Sequence, residues 1–488
     1  MKKFIVFAVV LALLVPAAAF AVTEFSLGGF IKLDAMWDSN NAVGKNVNAV
    51  PGRDNNGGAT HGRLKFTAQG SRFSFTIKGP QLWGAQVTGF LEMDFDSAEN
   101  GINAAAASPS RSYTPRLRHA MFRFNWPTSE LLFGQYWSMF CEYYSEMAED
   151  GPLQMTGTPT ARLPQIRFTQ QFLGDWTVAG LIGDPNSVAL AGGAYGNTAL
   201  NNGQYAETPQ VQAKVNYAHD FWGKAAYYGK PTPFTAQIVA GWQRAVLRGS
   251  GNNAIQTLNG PTTAFPNGGF ASGTDGASFG TGNINLQNQY VNPWLLMGSL
   301  FIPVIPTSSA NLAGTASILT QWWVGTGVEA FGFSGNGSNL YELDNRKFGG
   351  ENYSASLLKK YGGFVEGQYY FNNQWFLNGV YAVSKAYGVS RARSNWIAGT
   401  QGINGMEWAF QGDIPQTIQQ AVMTLWYRPI QAIKFGLQYA YASAHYFANA
   451  LPSANLAGQP TAFVNANTVN RSNFGDDHRV EFVGYFYF

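Results

Sequence analysis

Cysteine is almost missing from this chain: Cys141 stands alone, so no intrachain disulfide can form. Charge is scarce too. Asp, Glu, Lys and Arg supply 12% of the residues, where soluble proteins average about 25%. Neither sign dominates, with 31 basic and 28 acidic residues. So balanced a chain argues against a nucleic-acid partner, which favours a basic surface. Beyond the N-terminus there is no run of about 18 apolar residues, and therefore no indicated transmembrane helix. The 488 residues would allow two or three soluble domains, but no Pro/Ser-rich linker divides them.

The apolar stretch at the N-terminus has another explanation. Lys2 and Lys3 precede an apolar core from Phe4 to Val15, and Ala19-Phe20-Ala21 forms an A-x-A cleavage site. Residues 1–21 are expected to be a signal peptide, leaving 22–488 as one exported domain. Losing Lys2 and Lys3 brings the two charges closer to parity.

Aromatic residues are abundant, at 15% with 36 Phe, 23 Tyr and 14 Trp. Low charge, many aromatics and apolar residues diluted by alternation describe a transmembrane β-barrel with interfacial girdles. The C-terminal stretch Arg479 to Phe488 shows the pattern. Val480, Phe482, Gly484, Phe486 and Phe488 alternate with Arg479, Glu481, Val483, Tyr485 and Tyr487, and a period of two puts these sets on opposite faces of a strand. An uncovered edge of this kind would aggregate; lipid and a partner strand on each edge remove the problem. At the other end, Phe25, Leu27, Gly29, Ile31, Leu33, Ala35 and Trp37 oppose a face holding Lys32, Asp34 and Asp38.

Comparable segments fall near 25–38, 63–78, 85–96, 115–126, 131–138, 163–171, 176–183 and 209–217. Others fall near 234–243, 287–302, 311–323, 361–371, 374–385, 418–427, 432–442 and 479–488. The even total of sixteen suits antiparallel closure. Apolar parity switches around Gln69-Gly70-Ser71, which predicts a bulge. Long connections such as 39–62, 139–162, 244–286 and 443–478 alternate with short turns such as Asn372-Asn373. That is the signature of outside loops and periplasmic turns. The 218–233 connection is long for its side. No blade repeat of roughly 40–50 residues suggests a propeller.

Several motifs, in order, resemble a known family. His61-Gly-Arg-Leu-Lys65 with Ser71 to Lys78, and Gly89-Phe-Leu-Glu-Met-Asp-Phe95, are similar to the second and third strands of Gram-negative porins. Leu117-Arg-His-Ala120, Leu132 to Ser138 and Arg162-Leu-Pro-Gln-Ile-Arg-Phe168 resemble the DcaP-type trimeric porins. The likeness is specific over roughly residues 25–170 and architectural after that. It implies a homotrimer in the bacterial outer membrane, lipid around it, no cofactor, and uptake of dicarboxylates and related small anions. The terminal Phe488 resembles the signal read by the barrel assembly machinery. No helical coiled-coil segment precedes the first strand, as it does in some members, which leaves open trimerisation through barrel walls.

A porin works passively, by a loop that narrows a water-filled lumen and fixed charges that bias passage. The candidate constriction is 139–162, where Glu142, Glu146 and Glu149 are spaced i, i+4, i+7 before Asp150 and Gly151-Pro152. Like charges at that spacing disfavour an isolated helix and are better tolerated facing cations. Alternation offers Lys32, Arg72 and Lys214, and Arg162 and Arg167 flank the loop's return. The expectation is a cationic wall opposite an acidic loop; the plain alternative is a solvated external loop. Arg116 and Arg118 share parity with Phe122, Phe124 and Trp126, which would aim them at lipid at a cost of roughly 2–4 kcal/mol. An irregularity near His119-Ala120 would turn them inward, where guanidinium groups can hold carboxylates bidentately.

Rival chemistry has little behind it. Cys141 lacks a nearby histidine, and His61, His119, His219, His445 and His478 show no metal-ligand spacing. Asp476-Asp477-His478 reads as loop charge, and the glycine-rich 248–283 stretch lacks the strand–loop–helix setting of a phosphate site. The reading is an all-β, sixteen-stranded porin for small hydrophilic solutes, with carboxylate anions preferred. The competing readings are a general porin, an outer-membrane barrel hydrolase and a secreted β-sandwich binding module.

Overall fold

The computed structural model describes residues 24–40, 51, 62–96, 113–149, 153, 156–186, 203–247, 289–333, 341–344, 354–387, 415–446 and 474–488. The expected signal peptide, His61, Asp150 to Pro152 and the 248–283 stretch lie outside them.

Alternation builds the wall. In β1 (Glu24–Asp38), Ile31, Leu33 and Trp37 are exposed on one face, while Lys32, Asp34, Met36 and Asp38 are buried on the other. β2 is one wall strand in two pieces, Arg63–Thr67 and Arg72–Leu82, both paired with β1. The break falls where parity switches in the sequence: the Ser71 N–H donates to the Ala68 carbonyl at 3.0 Å. Then come β3 (Ala85–Asp94), β4 (Arg116–Asn125), β5 (Ser129–Trp137), β6 (Arg162–Phe172), β7 (Trp176–Gly183) and β8 (Gln210–His219). The second half holds β9 (Phe234–Trp242), β10 (Trp294–Ile305), β11 (Ala316–Thr326) and β12 (Lys359–Tyr370). It ends with β13 (Trp375–Tyr387), β14 (Pro415–Ile430), β15 (Ile433–Tyr446) and β16 (Phe474–Tyr487).

Each strand pairs antiparallel with its sequence neighbours, and β16 closes on β1 from Phe30↔Tyr487 to Asp38↔Arg479. The result is a closed sixteen-stranded barrel, and each wall strand overlaps one predicted segment. Closure leaves no edge. Barrels of this size leave an aqueous interior unless something fills it.

Short turns cluster at one end, the periplasmic end in barrels of this build. Trp83 and Gly84 form a two-residue hairpin turn with φ of 53° and 75°, the left-handed pair that matches strand twist. The connection that is too long for this end behaves differently. Within 220–233, Ala225–Tyr227 and Lys230–Thr232 pair as a hairpin, and Ala225 and Ala226 are fully buried.

The interior is lopsided. Along β10–β14 the inward face includes Phe301, Leu319, Phe364, Val380, Ala382 and Val422, which form one buried apolar cluster with Met147, Leu153 and Ala225. A second cluster joins Tyr370, Phe376 and Trp426 to Ala148 and Ala226. Neither cluster includes a residue of β2–β6, whose inner faces carry charge.

Candidate functional site

The connection between β5 and β6 is tied to the opposite wall. At its start, Ser138 Oγ and the Met139 N–H both donate to Gln212 Oε1, at 3.0 and 2.9 Å. Further along, Glu142 accepts from Lys214 Nζ on β8 at 2.7 Å. Glu146 lies fully inside: Lys434 Nζ donates to it at 2.9 Å, Gln368 Nε2 at 3.2 Å, and its own N–H donates to Glu366 at 3.2 Å. The Ala148 carbonyl accepts from Lys32 Nζ at 2.7 Å and from the Tyr485 hydroxyl at 3.2 Å. Glu149 is buried beside Arg479 and Glu481. Returning, Gln321 Nε2 donates to the Gly157 carbonyl at 3.3 Å. These partners belong to β8, β11, β12, β15, β16 and β1, so the loop lies within the barrel. Cys141 helps to hold its two ends together. Its thiol donates to the Pro159 carbonyl at 2.9 Å and accepts the Ala161 N–H at 3.2 Å, and burial pushes the thiol up to about 12.

The helical spacing of the three glutamates has no structural counterpart, because residues 138–149 contain no helix. The closest ion pairs of Glu142 and Glu146 are with lysines rather than with Arg72 or Arg167. Glu142 and Glu146 have cations of their own, Lys214 and Lys434, and the loop backbone takes the ammonium of Lys32, which also pairs with Asp34 at 2.8 Å. Glu142, Glu146 and Lys32 therefore act as loop anchors. Removing one partner of a buried pair such as Glu146–Lys434 leaves a stranded charge, so these anchors hold firmly.

Arginines gather on the other side. The expected irregularity in β4 is a bulge: Glu92 pairs with His119, Met93 with Leu117, and Arg118 is the extra residue. Arg118 is buried, donating to Glu92 at 2.6 Å and Asp94 at 2.7 Å. Arg116 grips Asp94 through two N–H groups at 2.9 and 2.8 Å and reaches Asp96 at 3.0 Å. Leu117, between them, is the exposed one. Below the bulge parity has switched, so Arg123 also faces in and meets Glu130 at 3.0 Å. Arg167 shares Glu130 at 3.6 Å, and Arg72 approaches Glu92 at 3.8 Å.

Arg162 differs from the rest. Its guanidinium sits 4.8 Å above the Trp137 ring, and Arg118, Arg116, Asp94 and Arg72 are its electrostatic neighbours. Among the described residues no carboxylate forms an ion pair with it. Among the described residues five of the six arginines pair with four carboxylates, Glu92, Asp94, Asp96 and Glu130. Sequence reasoning passed over these four acids and left Arg123 off the site, although the inward parity of Glu92 and Asp94 in β3 was there to be read.

The histidines are dispersed. His119 packs against Tyr136 and Trp137 with ring centroids 4.8 and 5.2 Å away, His219 pairs with Asp175, and His478 meets Tyr439. Among the described residues no group of three or more His, Cys, Asp or Glu is placed to hold a metal ion.

No family model matches this sequence, and no curated protein matches it. Solved structures do. The outer membrane channel DcaP of Acinetobacter baumannii aligns with a TM-score of 0.60 at 16% identity, covering 96% of this chain and 98% of that one. The chain has the DcaP fold. Two further barrels align over 96% of the chain at 10% identity. They are an anion-selective porin from Comamonas acidovorans (TM-score 0.48, 100% of that chain) and Pseudomonas putida OprB (0.47, 94%). The DcaP likeness thus extends over the whole barrel, beyond the 25–170 region where the motifs lie.

Proposed function

We propose that this barrel is an outer-membrane porin through which small hydrophilic solutes diffuse along the arginine side, with carboxylate anions favoured. The observation that carries the reading is Arg162. It forms no ion pair among the described residues, and it lies beside three other arginines and Asp94, stacked on Trp137. A small dianion lying there would complete charge-assisted hydrogen bonds that the protein leaves open. Each is worth about 1.5–3 kcal/mol when desolvated, and much less where water remains. The paired arginines keep the net surplus small, so that a bound anion can leave again, as conduction requires.

In this reading residues 1–21 are removed on export, the loop between β5 and β6 is the constriction, and the assembly machinery inserts the barrel. The barrel assembles as a homotrimer through its walls and is not an enzyme.

Planar-bilayer recording tests the reading. In a salt gradient the wild type should show a reversal potential of anionic sign and current blockage by succinate, and Arg162→Ala should weaken both. Equal reversal potential and equal blockage in the two proteins would replace this reading with a general porin. Turnover of lipid by the pure protein would revive the hydrolase.

A further inference from the structure

The connection between β8 and β9 begins at the periplasmic end but does not stay there. Its sequence fits it for the interior. Ala225 and Ala226 are small enough for backbone to lie against the wall: the Ala226 carbonyl accepts from Ser317 Oγ at 3.1 Å. Lys224 and Thr307 exchange both backbone hydrogen bonds, at 2.9 and 2.7 Å, and the Trp222 indole donates to the Pro303 carbonyl at 2.8 Å. The base of the hairpin is therefore fixed to the β10–β11 side of the rim.

At its tip Tyr228 and Gly229 form a two-residue turn with φ of 49° and 72°. The same left-handed pair closes the exposed Trp83–Gly84 turn; here, in addition, the tip meets the loop between β5 and β6. The Tyr227 hydroxyl accepts the Tyr144 N–H at 3.0 Å, and the Tyr228 hydroxyl donates to the Ser145 carbonyl at 2.9 Å. The Tyr227 and Tyr143 rings pack at 5.8 Å. A Cβ at Gly229 would meet the Arg428 guanidinium at 2.7 Å, so the tip lies directly beside that side chain. The next loop residue is Glu146, the principal anchor.

Resting on the porin reading, we propose that the Ala225–Thr232 hairpin is a strut that sets the height of the constriction loop and thereby the width and solute cutoff of the pore. The loop descends from the extracellular rim, the hairpin rises from the periplasmic one, and two tyrosine hydroxyls join them. Without those hydroxyls the Tyr144 N–H would lose its partner inside the barrel, and the Ser145 carbonyl would keep only the Met147 N–H.

Two variants test the strut: replacement of 225–232 by Gly-Gly, and the double substitution Tyr227→Phe with Tyr228→Phe. With barrel folding verified by heat-modifiable mobility, the deletion should at least double single-channel conductance and admit larger sugars in liposome swelling. The double variant should raise open-channel noise several-fold and speed amide exchange at Tyr144 at least tenfold. Wild-type conductance and cutoff in the folded deletion variant would overturn the strut. If the deletion does not insert, unchanged noise and unchanged Tyr144 exchange in the double variant would overturn it. Exchange does not depend on conduction: a silent wild type would sink the porin reading, while accelerated exchange in the variant would still support the strut.

Discussion

The inner faces of β10–β14 and of β2–β6 come from the same alternation and do opposite work. On β10–β14 the inward positions carry Phe301, Leu319, Phe364, Val380 and Val422, covered by Met147, Leu153 and Ala225. On β2–β6 the inward positions carry Arg72, Arg116, Arg123 and Arg167 with their carboxylates. One half is a protein core that happens to lie inside a barrel. The other is a charged wall. Strand number alone would give a wide round lumen; the two inserted segments pack against the apolar half, and in the proposed function the path runs beside the arginines.

The largest effect of breaking this asymmetry should come from the filled half. Trp426 is fully buried, donates its indole N–H to Asn378 at 2.9 Å, and lies 3.9 Å below the Lys434 ammonium. Trp426→Ala should cost about 3–5 kcal/mol, read as a lower temperature of heat-induced mobility shift, whereas Phe482→Ala on the lipid face should cost much less. A smaller effect belongs to the charged wall. Glu130 is shared by Arg123 and Arg167, so Glu130→Gln should leave folding unchanged and move the reversal potential further toward anions. The shift corresponds to about 1 kcal/mol or less and should fade at high salt.

Sequence showed the fold well and the site in part, for physical reasons. Alternation is strict wherever one face meets lipid and the other water, so β1 and β16 were plain from residues alone. Two of the irregularities, after Ala68 and at Arg118, announced themselves as parity conflicts, whereas the register shifts at Lys78/Gln81, Pro303/Ile305 and Tyr427/Ile430 did not. On β11, by contrast, Leu319 and Trp323 point inward while Ile318 and Trp322 point outward. Both faces are apolar, and periodicity cannot say that a loop covers one of them. The glutamates misled for a related reason. Their spacing is local, but Lys214, Lys434 and the Arg479–Glu481 pair that surround them come from strands far along the chain. The 218–233 connection betrayed itself by length, which says nothing about where it folds.

Cysteine accessibility compares the two halves most directly. In a Cys141→Ala background, single cysteines would replace Thr76, inward and half-exposed on β2, and Ala382, inward and buried on β13. A charged, membrane-impermeant thiosulfonate added to open channels should modify the Thr76→Cys protein quickly and reduce its current. It should leave the Ala382→Cys protein unmodified on the same timescale. Equal rates at the two positions would mean that water and solute reach both halves alike, contradicting a pore confined to the arginine side.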